Sequence, residues 1–432
     1  MFISDCLNIN RHGHLTIGGC DTLELAEAYG TPLYVMDETA IRNACRRYKN
    51  SIDEYYGGYG KVVYASKAFC CKEICRIMKD ENMGIDVASG GELLTALAAE
   101  FPPGEIYFHG NNKTADDLAL AIRSGVGSIV VDNIYELETL NALARSAGVV
   151  QAILFRIKPN VDAKTHAHIR VGTIDSKFGF ALETGEAMDA VKRAISLSNI
   201  RLDGIHCHIG SQIIDVEPFE LAARVMAQFI GKVKNELDYK LEILNLGGGF
   251  GIKYIPEQNP AEYERYMKKV SQAVKQECDK SGVKIPFIVL EPGRSISGPA
   301  GITLYRVGGI KKIPNVRTYI SVDGGLTDNP RYSMYGAIYD IAIANRAGEP
   351  KVQSITLAGK CCETDLLGEN IPLQEARVGD TLAVLATGAY NYAMASNYNR
   401  FPRPAVVLIG CNGEPRVIVR RETYEDVLRF DI

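Results

Sequence analysis

Residues 61–69 read KVVYASKAF, and what this stretch becomes decides the fold. Val62, Val63 and Tyr64 are β-branched or aromatic and suit a strand interior. Ala65 and Ser66 imply tight packing, and a single lysine, Lys67, then stands where the strand ends. The pattern recurs in MGIDVAS (83–89), EIYFHG (105–110), SIVVDN (128–133), AILFRIKP (152–159), LDGIHCHIG (202–210), EILNLGGG (242–249) and PFIVLEPG (286–293). Most intervening segments carry helical periodicity, as in 91–99, 134–147 and 221–237. Strand followed by helix, eight times, predicts parallel pairing in a (β/α)8 TIM barrel. Each strand also ends in polar or glycine-rich residues: Lys67, Asp86, His109, Asp132, Arg156, His208, Gly247–Gly249 and Glu291. On a barrel these positions share the C-terminal face, where active sites are built.

After about residue 300 the texture changes. GITLYRVGGI, RTYISVDGG, VQSITLAGK, DTLAVLATGAY, PAVVLIG and PRVIVRRE are strands split by turn residues, without comparable helices. They predict an antiparallel β-barrel or sandwich domain. LNINRHGHLTIGG, near the N-terminus, reads as a hairpin that pairs with it. The expected division is a barrel over 31–284 and a β-domain from 1–30 and 285–432, with 286–290 closing the barrel.

The 432 residues are 46% hydrophobic and 23% charged, with a net charge of −4. Without a basic excess, neither a nucleic-acid nor an anionic-membrane partner is expected, and a small-molecule role is favoured. No apolar leader or membrane-length run is seen, so a cytoplasmic location is expected. The eleven cysteines form no CxxC pair, which argues against zinc-ribbon and thioredoxin readings. Most are expected to be reduced, buried small hydrophobes.

Four strand ends could carry chemistry. Gly247–Gly251 follows a strand but fails the GxGxxG spacing at Ile252; it is either a tight turn or a set of amides closing on a phosphate. Glu291, at an apolar strand end, needs a cationic or protonated partner, and Arg294 is the nearest in sequence. His206 and His208 share one strand face, which alone is a weak zinc signal. One reads as a satisfied core residue, the other as a ring that could stack on a flat ligand. Lys67 alone would read as a snorkelling or salt-bridged lysine. In an enclosed mouth, its amine has a lowered pKa and can form a Schiff base. Amine, phosphate site, carboxylate and stacking ring at one barrel end are the four requirements of pyridoxal phosphate.

GTPLYVMDE (30–38), YASKA (64–68), GIDVASGGEL (84–93), SKFGF (176–180), HCHIGSQ (206–212), LGGGFG (246–251), EPGRSI (291–296), CCETD (361–365) and GAY (388–390) complete the pattern. Over nearly its whole length the chain resembles the fold-type III pyridoxal-phosphate decarboxylases, specifically the diaminopimelate decarboxylase family. The resemblance implies conversion of meso-diaminopimelate to L-lysine and CO2, the last step of lysine biosynthesis. It implies that Lys67 is the Schiff-base lysine, that His208 stacks on the cofactor ring and that Glu291 pairs with the pyridine nitrogen. Gly248, the Pro292-Gly293-Arg294 turn, Ser211 and Tyr390 are implied to hold the phosphate, and no metal is expected. Cys362 and Glu363 are implied to reach the site from the partner subunit of a homodimer. Cys362, preferred over Cys361 because it directly precedes the acidic residue, would be a proton donor kept protonated by burial. Arg294, Arg331, Tyr335, Glu363 and Tyr390 would bind substrate, the arginines gripping its distal carboxylate and Glu363 its amine.

The nearest alternative is an ornithine, arginine or carboxynorspermidine decarboxylase on the same fold. Ornithine and arginine have no distal carboxylate, which leaves arginines there idle or repulsive. An alanine racemase is less consistent, since the resemblance implies arginine rather than glutamate at its pyridine nitrogen. A non-catalytic cofactor-binding protein would lack an acid such as CCETD supplies.

Overall fold

The computed structural model describes residues 2–161 and 175–432. The chain divides into two compact units, one of residues 44–251 and 260–293, the other of residues 1–43, 252–259 and 294–432.

The first unit is the barrel. Its strands are β1 (Gly60–Ala65), β2 (Gly84–Val87), β3 (Ile106–Phe108), β4 (Ser128–Val131), β5 (Gln151–Lys158), β6 (Ile200–His206), β7 (Ile243–Asn245) and β8 (Phe287–Leu290). Each pairs in parallel with its neighbour, and β8 returns to β1, with Leu290 opposite Val62. The closed eight-stranded barrel is therefore as expected. β2, β3 and β4 are buried at every position, because helices cover the outside while side chains fill the inside. Val63, Tyr107, Val130, Leu154 and Val289, from five different strands, form one buried cluster.

The helices between strands begin and end on local signals. Ile134–Ala147 starts where the Asn133 side chain accepts from the Glu136 N–H and stops at Gly148, left-handed with φ 69°. Those are ordinary N- and C-terminal caps, and this helix matches the sequence reading at both ends.

The second unit is built on a mixed sheet. Gly301–Ile313 lies at its centre, antiparallel to Arg317–Val322, Thr381–Val384 and Leu33–Asp37. Arg317–Val322 runs parallel to Gln353–Ala358, and Leu33–Asp37 parallel to Ala405–Ile409. The expectation of a purely antiparallel sheet is thus corrected. Long connections between these strands allow parallel pairing, which a short hairpin loop forbids. The N-terminal hairpin forms, with Leu7 opposite Ile17, but in a separate three-stranded sheet. It joins the unit through side chains instead: Leu7, Leu15 and Ile17 pack in one cluster with Val35, Ile302, Leu304 and Val407.

All eleven cysteines are free, six of them buried. No described helix is long and apolar enough to cross a membrane.

Candidate active site

At the C-terminal end of β1 the chain makes one 3-10 turn, Ser66–Ala68, with Lys67 exposed upon it. The Tyr64 hydroxyl donates to the Phe69 carbonyl at 2.9 Å and closes that turn. The Ala65 N–H donates to the Pro292 carbonyl at 3.1 Å, tying the lysine turn to the loop after β8. A Cβ on Gly293 would stand 2.9 Å from the Ala65 carbonyl oxygen, so glycine lets these two strand ends approach.

Glu291, 6% exposed, is the centre of the cluster. The Asn245 amide donates to its Oε1 at 2.6 Å, Nε2 of His109 lies 2.7 Å from the same oxygen, and Nε2 of His206 lies 3.2 Å from Oε2. The sequence suggested Arg294 as partner; the groups found are two imidazoles and an amide. Burial pushes the carboxyl up, and the pull of His109 and His206 overcomes this, leaving Glu291 well below the ordinary carboxylate range. His206 is itself pushed down to about 4 by burial, against the pull of Glu291. At neutral pH it is a neutral imidazole donating to an ionised carboxylate, which needs no charge on the ring.

Asp86, at the end of β2, lies 3.9 Å from Nε2 of His109. Burial raises its carboxyl to about 6, with Glu291 adding to the rise and His109 and Lys67 opposing it. Arg156, from β5, is drawn down by burial and held up by Asp132, Glu291 and Asp86; its guanidinium lies over the Phe178 ring at 3.9 Å. Asp132 accepts from the Gly179 N–H and from the Asn111 amide, so charged strand ends also fix the SKFGF segment.

His208 is half-buried, and its Nδ1 accepts from the Gly248 N–H at 3.3 Å. That bond orients the ring and leaves the proton on Nε2. Burial, Lys67 and Arg156 all lower its pKa, so it is neutral. Gly247 and Gly249 have φ of 65° and 110°, and a Cβ on Gly248 would sit 2.1 Å from the Glu291 carbonyl oxygen. Only glycine fits this loop. Ser211 follows, half-buried.

His109, His206 and Glu291 offer ligand atoms within 4.8 Å of one another, a compact enough set for a cation. Nε2 of His206 makes a hydrogen bond to Glu291 at 3.2 Å, whereas Nε2 of His109, 2.7 Å from the same carboxylate, lies outside hydrogen-bond geometry.

The remaining expected residues lie in the second unit. Arg294 donates from Nη1 to the Tyr254 hydroxyl at 2.5 Å and lies 4.6 Å from the Tyr390 ring centroid. Arg331, at the start of the one-turn helix Arg331–Tyr335, lies 5.6 Å from the Tyr335 and Tyr390 centroids alike. Cys362 and Glu363 are elsewhere on this unit, the Cys362 N–H donating to Asn399 and Glu363 accepting from the Tyr398 hydroxyl. Cys362 is exposed within this chain rather than buried. Cys361 is the packed member of the pair, its N–H donating to Asp365 and its thiol pushed up to about 11, mainly by burial.

Sequence reasoning left Asn245, His109 and Asp86 without roles. The signal for Asn245 was a lone amide inside an apolar strand, and for the other two a polar strand end.

Residues 38–298 match the family described as pyridoxal-dependent decarboxylase, pyridoxal binding domain. The diaminopimelate decarboxylase of Bacillus subtilis is 46% identical, over 100% of this chain and 98% of its own length. The crystal structure of the M. jannaschii diaminopimelate decarboxylase in co-complex with L-lysine superposes with a TM-score of 0.92 at 36% identity, over 100% of this chain and 99% of that one. The Helicobacter pylori enzyme complexed with L-lysine gives 0.87 at 30% identity, over 95% and 99%. The chain belongs to the diaminopimelate decarboxylases, within the fold-type III pyridoxal-phosphate-dependent decarboxylase family.

Proposed function

We infer that this protein is the carboxy-lyase that converts meso-2,6-diaminopimelate to L-lysine and CO2, using pyridoxal 5'-phosphate. The observation that carries the reading is the buried, ionised Glu291 at the same barrel end as Lys67. A buried carboxylate kept charged by its imidazole and amide neighbours suits pairing with a protonated pyridine nitrogen. The residues fit such a cofactor in other respects. His208 is pinned by Gly248, a Cβ on Gly248 would collide with the Glu291 carbonyl and one on Gly293 with the Ala65 carbonyl, and the buried oxygens Ser66 Oγ and Asp86 Oδ1 have no hydrogen-bond partner among the described residues.

In this reading Lys67 would hold the cofactor through its amine and His208 would support its ring. Gly248, Ser211, Pro292, Gly293, Arg294 and Tyr390 hold its phosphate. Bound there, pyridoxal phosphate supplies an electron sink for the carbon that loses CO2. Glu291 keeps the ring nitrogen protonated. Arg331, with Arg294 and Tyr335, grips the carboxylate that is retained. The site is shared in a homodimer: the partner's Cys362 delivers the proton to the carbon that lost CO2, and the partner's Glu363 receives the distal amine. The exposure of Cys362 supports that assignment over Cys361, which is committed to its own unit.

The test is CO2 release by the holoenzyme from meso-diaminopimelate, lysine, ornithine and arginine. Release from meso-diaminopimelate alone, or in large excess over the others, is expected. Preference for ornithine or arginine would replace this reading with the polyamine-type one.

A further inference from the structure

The segment CCETD is fixed at its base and exposed at its tip. Asp365, 4% exposed, accepts from the Leu326 N–H at 2.7 Å and the Cys361 N–H at 2.9 Å. Its backbone carbonyl accepts from the Gly359 N–H at 2.8 Å, and its own N–H donates to the Glu363 carbonyl at 2.7 Å. A Cβ on Gly325 or on Gly359 would collide with Oδ2 of Asp365, so glycine on both sides makes room for this carboxylate. Between the two fixed ends, Cys362, Glu363 and Thr364 stand exposed.

A second segment of the same unit meets that tip. From the one-turn 3-10 helix Tyr398–Arg400, the Tyr398 hydroxyl donates to Oε1 of Glu363 at 2.8 Å, and the Asn399 side-chain oxygen accepts from the Cys362 N–H at 2.9 Å. Asn399 and Arg400 both have left-handed backbones, with φ of 51° and 60°. Asparagine tolerates this region better than most residues and arginine does not. Bonds at each end hold the turn in it. The Ser396 N–H donates to the Thr327 carbonyl at 2.9 Å, the Asn397 amide to the Phe401 carbonyl at 2.9 Å, and Arg400 to Asp431 at 2.7 Å. Two successive unfavourable conformations persist only where the surroundings over-determine them, a pattern that collects at functional sites.

We propose that Tyr398 is a positioning residue for amine specificity: its hydroxyl holds the Glu363 carboxylate in the orientation in which it meets the distal amine of the substrate. This rests on the reading above, in which Glu363 receives that amine. An exposed glutamate on a short loop samples many rotamers, and ordering it on binding costs affinity. A bond from Tyr398 to one oxygen removes most of that freedom beforehand. A phenol donates a single hydrogen bond and carries no charge, so the carboxylate keeps its charge and its second oxygen for a cation. A lysine or arginine at 398 would hold Glu363 as well but would neutralise it.

L-Lysine and 6-aminohexanoate differ only by the amine beside the carboxylate. Calorimetric titration of the holoenzyme with each tests the proposal, for the parent, Tyr398→Phe, Glu363→Gln and the double variant. Cofactor absorbance and native mass confirm that each is loaded and assembled. The parent should bind L-lysine at least about tenfold more tightly, the scale of one charge-assisted contact. Tyr398→Phe should lose most of that preference through L-lysine alone, and KM for meso-diaminopimelate should rise several-fold while kcat holds. Glu363→Gln should abolish the preference, and adding Tyr398→Phe to it should change nothing further, because the phenol acts only through the carboxylate. Unchanged L-lysine affinity in Tyr398→Phe, equal loss for both ligands, or additive effects in the double variant would overturn the positioning role and leave the decarboxylase reading standing. A parent that binds both ligands alike, or a Glu363→Gln variant that still discriminates, overturns the assignment of the amine to Glu363 and the proposal with it.

Discussion

Replacing Asn245 with leucine should weaken the barrel at its active end. The Asn245 side chain is fully buried and serves two elements: its amide donates to Glu291 at 2.6 Å, and its carbonyl accepts from the Gly247 N–H at 2.9 Å. Leucine is of similar size, so no cavity opens, but both bonds are lost. A bond to a charged acceptor is worth about 1.5–3 kcal/mol, and an orphaned buried N–H costs about 1–3 kcal/mol, which together give about 3–5 kcal/mol. In a unit of about 240 residues each kcal/mol moves the melting midpoint by about 2–4 °C, so the midpoint should fall by roughly 6–20 °C. Thermal unfolding at pH 7, followed by circular dichroism, reads this directly. Asn245→Asp supplies the control. It keeps an acceptor for Gly247 but places a second carboxyl against Glu291, which raises the new group's folded-state pKa. An acid with a raised folded-state pKa costs nothing below its unfolded pKa of about 4 and progressively more as pH rises above it. The aspartate variant should therefore approach the parent at low pH and fall away from it toward neutrality. A leucine variant melting within about 2 °C of the parent, less than 1 kcal/mol on the same scale, would refute the claim that Asn245 couples Glu291 to the glycine loop.

His206, buried and neutral, should limit acid stability. Its folded-state pKa of about 4 lies below the ordinary 6.5, so its contribution is present above 6.5 and is lost as pH falls toward 4, by about 3 kcal/mol at most. His206→Gln keeps a donor that does not titrate, and the stability difference between parent and variant should change sign or shrink across that window; a pH-independent difference argues against a buried neutral imidazole. The shared site predicts complementation: Lys67→Ala and Cys362→Ala dimers should each be nearly inactive, and hybrids made by dissociation and reassociation should regain activity. No recovery, with hybrids confirmed by native mass spectrometry, would place both groups in one chain's site.

The barrel was legible because each strand announces itself twice, by an apolar run and by a polar residue where it ends. The second sheet was less so. Leu366–Leu373, LLGENIPL, is a strand that the sequence reading omitted, since glycine, asparagine and proline all argue against one. It lies at the sheet's edge, with Pro372 opposite Ser354, and an edge strand tolerates a missing donor. The clamp around Glu291 was beyond reach for another reason. Asp86, His109, His206, Asn245 and Glu291 come from five separate strands, and only closure of the barrel reveals that they meet. Lys67, Glu291 and the glycine run stood out individually because each violates the apolar pattern of its own strand.

The position of Leu33–Asp37 in the second sheet bears on how the chain is made. Its neighbours are Gly301–Leu304 on one side and Ala405–Ile409 on the other. A ribosome adding about 5–20 residues per second reaches the first of these roughly 10–50 s after releasing residue 37. All eight barrel strands emerge in that interval, and each can pair with the one just made. Meanwhile the five-residue segment LYVMD, wholly buried in the finished protein, waits with both edges open. Unpaired apolar edges recruit other chains, so nascent protein should depend most on chaperones, or on slow dilution during refolding, until the last hundred residues arrive.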